Sequence, residues 1–253
     1  EDRIIDGPAD NPKLRVRCFT PIHHNPDQLM PVLLYMHGGA FMGSVESSGR
    51  DFILIKMVEE INCMIMSVDY RSPPDGFPAA PEDCYAALLW LEHNALSLGV
   101  DKHRIAVGGH SAGGCLAAAV ALMARDRNGP NIIYQLLIYP CLDDRENKSD
   151  EVRYMWENYL GEDHSDDVSP YAAPSRSPDL SHLPPAYVLI GDLDPFLDEA
   201  VAYSTRLTQS DVVSELHIFP GVPHAFDTTV PGARQAVRAV REYIDALKFA
   251  FTQ

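Results

Sequence analysis

The sequence is short of basic charge and of cysteine, and no part of it is a long apolar run. Twenty Lys and Arg stand against 36 Asp and Glu among 253 residues, a formal net charge of −16. Such a chain repels nucleic acid and anionic membrane surfaces and meets anionic substrates with an unfavourable field. Its cysteines, Cys18, Cys63, Cys84, Cys115 and Cys141, are odd in number, none stand in a C-x-x-C arrangement, and four sit among apolar neighbours. They read as buried free thiols in a reducing cytoplasm, not as a disulfide framework. No uncharged apolar stretch reaches the roughly 18 residues that a membrane span needs. A signal peptide is not visible either, although the chain starts at Glu1 without a methionine, so a preceding segment is expected to have been removed. Asn147-Lys148-Ser149 matches a glycosylation acceptor and, without a secretion signal, reads as chance. Internal repeats, low-complexity tracts and clusters of metal ligands are also missing, so no cofactor or metal is expected.

What is present is ordinary for a globular protein: 46% hydrophobic and 22% charged residues, enough for one domain with a large core. Apolar, β-rich runs at 14–19, 32–36, 63–68, 104–108, 132–139, 186–190 and 213–219 predict strands. Several are apolar at nearly every residue, as in a parallel sheet covered on both faces. Between them, 81–98, 116–124, 201–208 and 233–251 predict helices. Cys84, Leu88, Leu91 and Ala95 recur at helical spacing. The 116–124 stretch is apolar on all sides, with alanines at 117, 118, 119 and 121 that allow close approach to the strands. This alternation predicts a single α/β domain over 1–253 with a mostly parallel, doubly wound sheet, the strand at 14–19 adding an antiparallel edge. One segment, 141–183, is polar and proline-rich with a helix around 151–160. It is too long for an ordinary connection and is expected to form a small cap, with Tyr154, Met155, Trp156 and Tyr159 available to cover a pocket. Its charge run, Asp143-Asp144-Arg145-Glu146, reads as a solvated face.

The sharpest local signal is Gly109-His110-Ser111-Ala112-Gly113-Gly114, which follows a predicted strand and opens the apolar helix. That is the setting of a nucleophile elbow, in which a strained turn lifts a serine hydroxyl above the sheet. A serine hydroxyl needs a base, and the base needs an orienting anion; in this fold the order is Ser, acid, His. After the strand at 186–190, Asp192, Asp194 and Asp198 compete for the acid. Asp194 is favoured because Pro195 fixes its turn. After the strand at 213–219, His224 is the one remaining histidine and is the expected base. His23, His24, His93 and His103 lack this setting. Met36-His37-Gly38-Gly39-Ala40-Phe41 leaves an early strand where an oxyanion loop belongs, so Gly39, Ala40 and the amide of Ala112 are the candidate donors, each worth about 3 kcal/mol if lost. His37 is expected to brace that loop.

With these residues in hand, the chain resembles the hormone-sensitive-lipase-like esterases, also called bacterial family IV, over nearly its whole length. His37–Phe41 is similar to the family's HGG[GA]F loop and Gly109–Gly114 to its GDSAGG elbow. Asp69-Tyr70-Arg71 with 77–83 is similar to DYR…FPAAxED, 194–199 to DPLxDE, and His224-Ala225-Phe226 to HGF. The resemblance places Asp194 in the acid's position and implies short- or medium-chain acyl esters as substrates. His110 stands where the family has aspartate, Ala40 replaces its third glycine and Ala225 the glycine after the base. His110 is expected to alter local charge near the site. Members usually carry an N-terminal helical cap, whereas this chain opens close to its first strand, so the cap is absent or the cover falls to 141–183.

The expected function is therefore a serine carboxylesterase acting on small esters through an acyl-enzyme. An aryl formamidase on the same triad is the alternative; a small-molecule receptor is disfavoured because His224 and its acid are both present. The charged insert speaks against an interfacial lipase, and the lack of an extra peptide-selecting domain against a peptidase. The strand at 213–219, last to be added, is expected at the sheet edge, where two copies would pair antiparallel in a homodimer. Related esterases often associate through this strand.

Overall fold

The computed structural model describes residues 1–8, 12–47, 49–145, 149–161 and 167–253. Eight strands form one sheet: β1 (Asp2–Ile5), β2 (Leu14–Phe19), β3 (Met30–Met36), β4 (Met64–Val68), β5 (Val100–His110), β6 (Tyr134–Ile138), β7 (Ala186–Gly191) and β8 (Ser214–Phe219). They lie in the order β1-β2-β4-β3-β5-β6-β7-β8. From β4 to β8 every pairing is parallel, while β1 and β2 are antiparallel to their neighbours. Every residue of β3, β4 and β7 is buried, which is why these runs carry no polar alternation.

The helices are α1 (Asp51–Ile61), α2 (Gly76–Asn94), α3 (Ala112–Asp126), α4 (Asp150–Leu160), α5 (Leu197–Gln209), the single turn α6 (Phe226–Thr229) and α7 (Arg234–Ala250). α1 packs on α7 and α2 on α3, and the strands between these pairs are covered on both faces. α3 touches β3, β5 and β6, with each residue from Ala112 to Ala124 buried. Winding reverses between β3 and β5: the chain leaves β3 for β4 on one side, then returns to β5 on the other. The loops after β3 and β5 diverge there, opening the crevice that doubly wound sheets use for ligands.

Three elements depart from the sequence reading by being additional: β1, α1 and the single turn α6. β1 is exposed at three of four positions and has no apolar alternation; its register on β2 is held by backbone pairing and by Asp2 against Arg17 at 2.7 Å. α1 buries Ile53, Leu54, Met57, Val58 and Ile61, a helical period that was present in the sequence and unread. α2 begins at Gly76 but is kinked at Phe77 (φ −86°, ψ 137°), so Pro81 falls near the start of its regular part, where proline is tolerated. The charge run in 141–183 is also not a solvated face throughout. Asp144 is buried and takes both arms of Arg176 at 2.6 and 2.7 Å, which satisfies its oxygens; Glu146, like Asn147, lies outside the described residues.

β8 lies at the edge of the sheet, as its late position in the chain implied. All five cysteines are free and buried. No described helix is long and apolar enough to cross a membrane.

The alanine face of α3 gives a direct test of packing. Ala118→Leu adds volume where nothing is exposed and should cost about 1–3 kcal/mol or more in urea unfolding. Leu89→Ala, on the exposed side of α2, should stay within about 0.5 kcal/mol of the parent.

Candidate active site

At the end of β5 the chain turns sharply into α3, and Ser111 sits on that turn at φ 57°, ψ −122°. Non-glycine residues avoid this region, so the surroundings must enforce it. Two glycines allow it. A Cβ on Gly113 would lie 2.0 Å from the Met36 carbonyl oxygen, and one on Gly109 would lie 2.4 Å from the Gly113 backbone. The Ser111 N–H donates to the Ile138 carbonyl at 2.9 Å, tying the turn to β6.

The loop after β7 places Asp194, whose carboxylate has no solvent exposure. Its Oδ1 accepts the Phe196 N–H at 3.0 Å and its Oδ2 lies 2.7 Å from His224 Nδ1. A carboxylate oxygen only accepts, so Nδ1 carries the proton and Nε2 is left to accept. Nε2 lies 2.9 Å from Ser111 Oγ. Of the three competing carboxylates, only Asp194 reaches His224. Asp192 Oδ1 accepts the Gly221 N–H at 2.6 Å and braces the turn after β8; Asp198 is exposed on the first turn of α5. The His224 ring is held edge-to-face by Tyr139 (4.9 Å) and Phe196 (5.1 Å).

Gly39, Ala40 and Phe41 all have positive φ, at 117°, 55° and 62°, which turns the loop after β3 back over the crevice. Among the described residues, no acceptor takes the amides of Gly39, Ala40 or Ala112. Ala112 opens α3, whose N-terminus favours negative charge. The loop is braced from behind. His37 stacks on Tyr70 at 4.2 Å, its Nδ1 lies 2.9 Å from the Gly38 carbonyl oxygen, and the Tyr70 hydroxyl donates to the His37 carbonyl at 2.7 Å. Asp69 accepts from Val45 N–H and from Arg15, and Arg71 grips the buried Asp83 with two arms at 2.9 and 2.7 Å. The motif stretch around residues 69–83 thus supplies struts under the loop.

Gly39, Ala40, Ser111 and His224 line a cavity of about 370 Å³ with Arg50, Pro195, Phe196 and Ala225, and α4 contributes Glu151, Val152 and Met155. Of the four aromatic and thioether side chains expected to cover a pocket, Met155 does so. Trp156 and Tyr159 are buried against Phe41, the latter stacked at 3.8 Å, and Tyr154 points to solvent.

Four residues near the site escaped the sequence reading in this role: Arg50, His110, Tyr139 and Asp227. The Tyr139 hydroxyl donates to Asp227 Oδ1 at 2.6 Å and accepts from Arg50 Nη1 at 2.8 Å; Arg50 lies 3.8 Å from Asp227. Burial pushes the Asp227 carboxyl upward, but the approach of His110 and the charge of Arg50 outweigh it and hold it near 2. His110 is 1% exposed, with Nδ1 2.9 Å from the Tyr35 hydroxyl and Nε2 3.5 Å from Asp227 Oδ2. Burial, reinforced by Arg50, lowers it to about 4, so it is neutral at neutral pH. The departure at position 110 therefore places no charge beside Ser111; the charges of the cluster are those of Arg50 and Asp227. Asp227, three residues beyond His224, was the legible signal.

A family model described as the α/β-hydrolase fold matches residues 33–228. The esterase LipI of Mycobacterium tuberculosis is 35% identical, covering 93% of this chain and 78% of the relative. An arylesterase of Saccharolobus solfataricus is 35% identical over 98% of this chain and 82% of its own length. The solved structure of a bacterial heroin esterase superposes with a TM-score of 0.93 at 38% identity, covering 99% of this chain and 84% of that one. The chain belongs to the α/β-hydrolase fold family, in its hormone-sensitive-lipase-like branch of esterases.

The depressed His110 makes stability depend on pH. Between about 6.5, its ordinary value, and about 4, the unfolded chain binds a proton that the folded one refuses. Its share of stability is full above this window and falls by about 3 kcal/mol as pH drops through it. His110→Asn should remove that share, so urea unfolding at pH 7 and pH 4 should show a smaller acid loss than the parent. Equal losses in both proteins would contradict the assignment.

Proposed function

We propose that this carboxylic-ester hydrolase cleaves short- to medium-chain acyl esters through an acyl-enzyme on Ser111, with His224 as base and Asp194 as its orienting acid. The observation that carries the reading is the continuous chain Ser111 Oγ–His224 Nε2 (2.9 Å) and His224 Nδ1–Asp194 Oδ2 (2.7 Å) at the mouth of a cavity. In the first half-reaction Oγ attacks the acyl carbon while Nε2 takes its proton. The amides of Gly39, Ala40 and Ala112 face the oxyanion that forms. Collapse breaks the acyl–oxygen bond, and the leaving alkoxide receives the proton from Nε2. Water then attacks the acyl-enzyme, giving its proton to Nε2, and collapse breaks the acyl–Oγ bond as Nε2 returns that proton to Ser111 Oγ, releasing the acid. Asp194 compensates the imidazolium at each stage and stays ionised.

The cavity's modest volume and largely apolar wall support acyl chains of roughly two to six carbons, and α4 serves as a small cap over it. The esterase and arylesterase names of the relatives support esters over formamides.

The edge strand supports a second reading, of assembly: we propose that β8 pairs antiparallel with β8 of a second copy. Val213 and Ile218 are 72% and 48% exposed, and the polar side chains beside them are already engaged with one another, the His217 ring lying 2.7 Å from Glu215 and 3.1 Å from Glu242. Light scattering at micromolar concentration should give twice the 28.0 kDa chain mass, and Ile218→Pro should return it to one. A single-chain mass for the parent at every concentration excludes the pairing.

For the chemistry, Ser111→Ala should fold as the parent and lose at least about 10⁴-fold in kcat, and Asp194→Asn nearly as much, while Asp192→Asn stays within a few-fold. The assay is a p-nitrophenyl ester series from acetate to laurate with a formamide for comparison. More than about a tenth of parental kcat in Ser111→Ala, or better turnover of laurate than butyrate, overturns the corresponding part.

A further inference from the structure

The residues that precede the nucleophile and follow the base are themselves in contact behind the triad. His110 is the neighbour of Ser111, and Asp227 stands three residues after His224; Nε2 of the one faces Oδ2 of the other at 3.5 Å. Arg50 reaches the same carboxylate at 3.8 Å from the residue before α1, and the Tyr139 hydroxyl bridges them, donating to Asp227 at 2.6 Å and accepting from Arg50 at 2.8 Å. The Tyr139 ring in turn stands edge-on to the His224 ring at 4.9 Å. Tyr139 is held at φ 37°, a conformation that only its surroundings can enforce. All four side chains are buried, with Arg50 at the wall of the cavity.

We propose that Arg50, His110, Tyr139 and Asp227 form a clasp that fixes the His224 loop against the serine turn, so that the Ser111–His224 distance is set from behind by these positioning residues as well as by Asp194.

The proposal rests on the triad reading above. None of the four transfers a proton to substrate. The clasp acts through His224, whose ring also meets Asp194, Ser111 and Phe196, with Glu151 of α4 across the cavity and Tyr35 and Tyr243 behind His110. Because Arg50 and Asp227 balance one another, removing either leaves one uncompensated charge near the base, and the two removals have opposite signs. That distinguishes a positioning pair from mere packing.

The test compares Tyr139→Phe, Asp227→Asn, Arg50→Met and the double Arg50→Met/Asp227→Asn by melting, by labelling of Ser111 with a fluorophosphonate, and by kcat and KM across pH. Tyr139→Phe keeps the ring and loses the bridge, so kcat should fall roughly ten- to hundredfold with KM little changed. In Asp227→Asn the acid limb of kcat/KM should move to lower pH, because the remaining guanidinium disfavours the imidazolium. In Arg50→Met it should move to higher pH, each by about one unit. The double variant should bring the limb back while kcat stays low. Folded variants with parental kcat, or with limbs that move in the same direction, overturn the clasp. If Asp227→Asn does not fold, Tyr139→Phe and Arg50→Met decide by the same criteria. Failure of the parent Ser111 to react with the fluorophosphonate would instead overturn the triad reading itself.

Discussion

The arrangement depends on how closely the first turn of α3 approaches the end of β3. A hydrogen replaces a side chain at Gly113, where any Cβ would stand 2.0 Å from the Met36 carbonyl and 2.6 Å from that of His37. Two loops meet because of this contact. The serine turn on one side and the Gly39–Ala40 loop on the other are brought within reach of a single acyl group only because backbone lies on backbone. Both loops hold positive-φ, non-glycine residues, Ser111 and Ala40, and such strain persists where packing overrules it. The uniformly buried α3 and the braces at Tyr70, Asp69 and Asp83 supply that packing.

The sheet and the three residues of the Ser111–His224–Asp194 chain were legible in the sequence because both are written in short range. Seven of eight strands announce themselves as apolar runs, and Ser111, Asp194 and His224 each follow such a run after small or turn-forming residues. β1 was illegible for the opposite reason: an edge strand with exposed Asp2, Arg3 and Ile4 has no face to bury and so no periodicity. α1 was different, since its period was there to be counted. The struts were visible as motif residues without a function; only the fold reveals that Tyr70, Asp69 and Ser72 bond to the loop after β3, at His37, Val45 and Gly43, while Arg71 and Asp83, twelve positions apart, hold each other.

The role of position 110 could not be read locally at all. A histidine where the family has aspartate alters the local charge, and burial decides in which way. Among the rings of Tyr35, Tyr139 and Tyr243 a carboxylate is replaced by a neutral ring and not by a cation, because desolvation disfavours the imidazolium more than the nearby carboxylate favours it. The partners lie 60 residues before and 117 residues after His110, as the positions of Arg50 and Asp227 require. A window of 178 residues, 50–227, is needed to contain them.

The cost of that cluster indicates what it does. Taking a guanidinium and a carboxylate out of water costs several kcal/mol per ion, and their attraction rarely returns more than that cost. Arg50 and Asp227 are 6% and 1% exposed, and Arg50 Nε has no partner among the described residues. An apolar pair of similar volume would serve stability at least as well. Direction is what an apolar pair cannot provide: the Tyr139 hydroxyl accepts from one side and donates to the other, which fixes its ring against His224 in one orientation. A protein of net charge −16 thus keeps a compensated cation in the wall of its cavity, and the value of that cation lies in geometry, because its field is largely cancelled by the carboxylate 3.8 Å away.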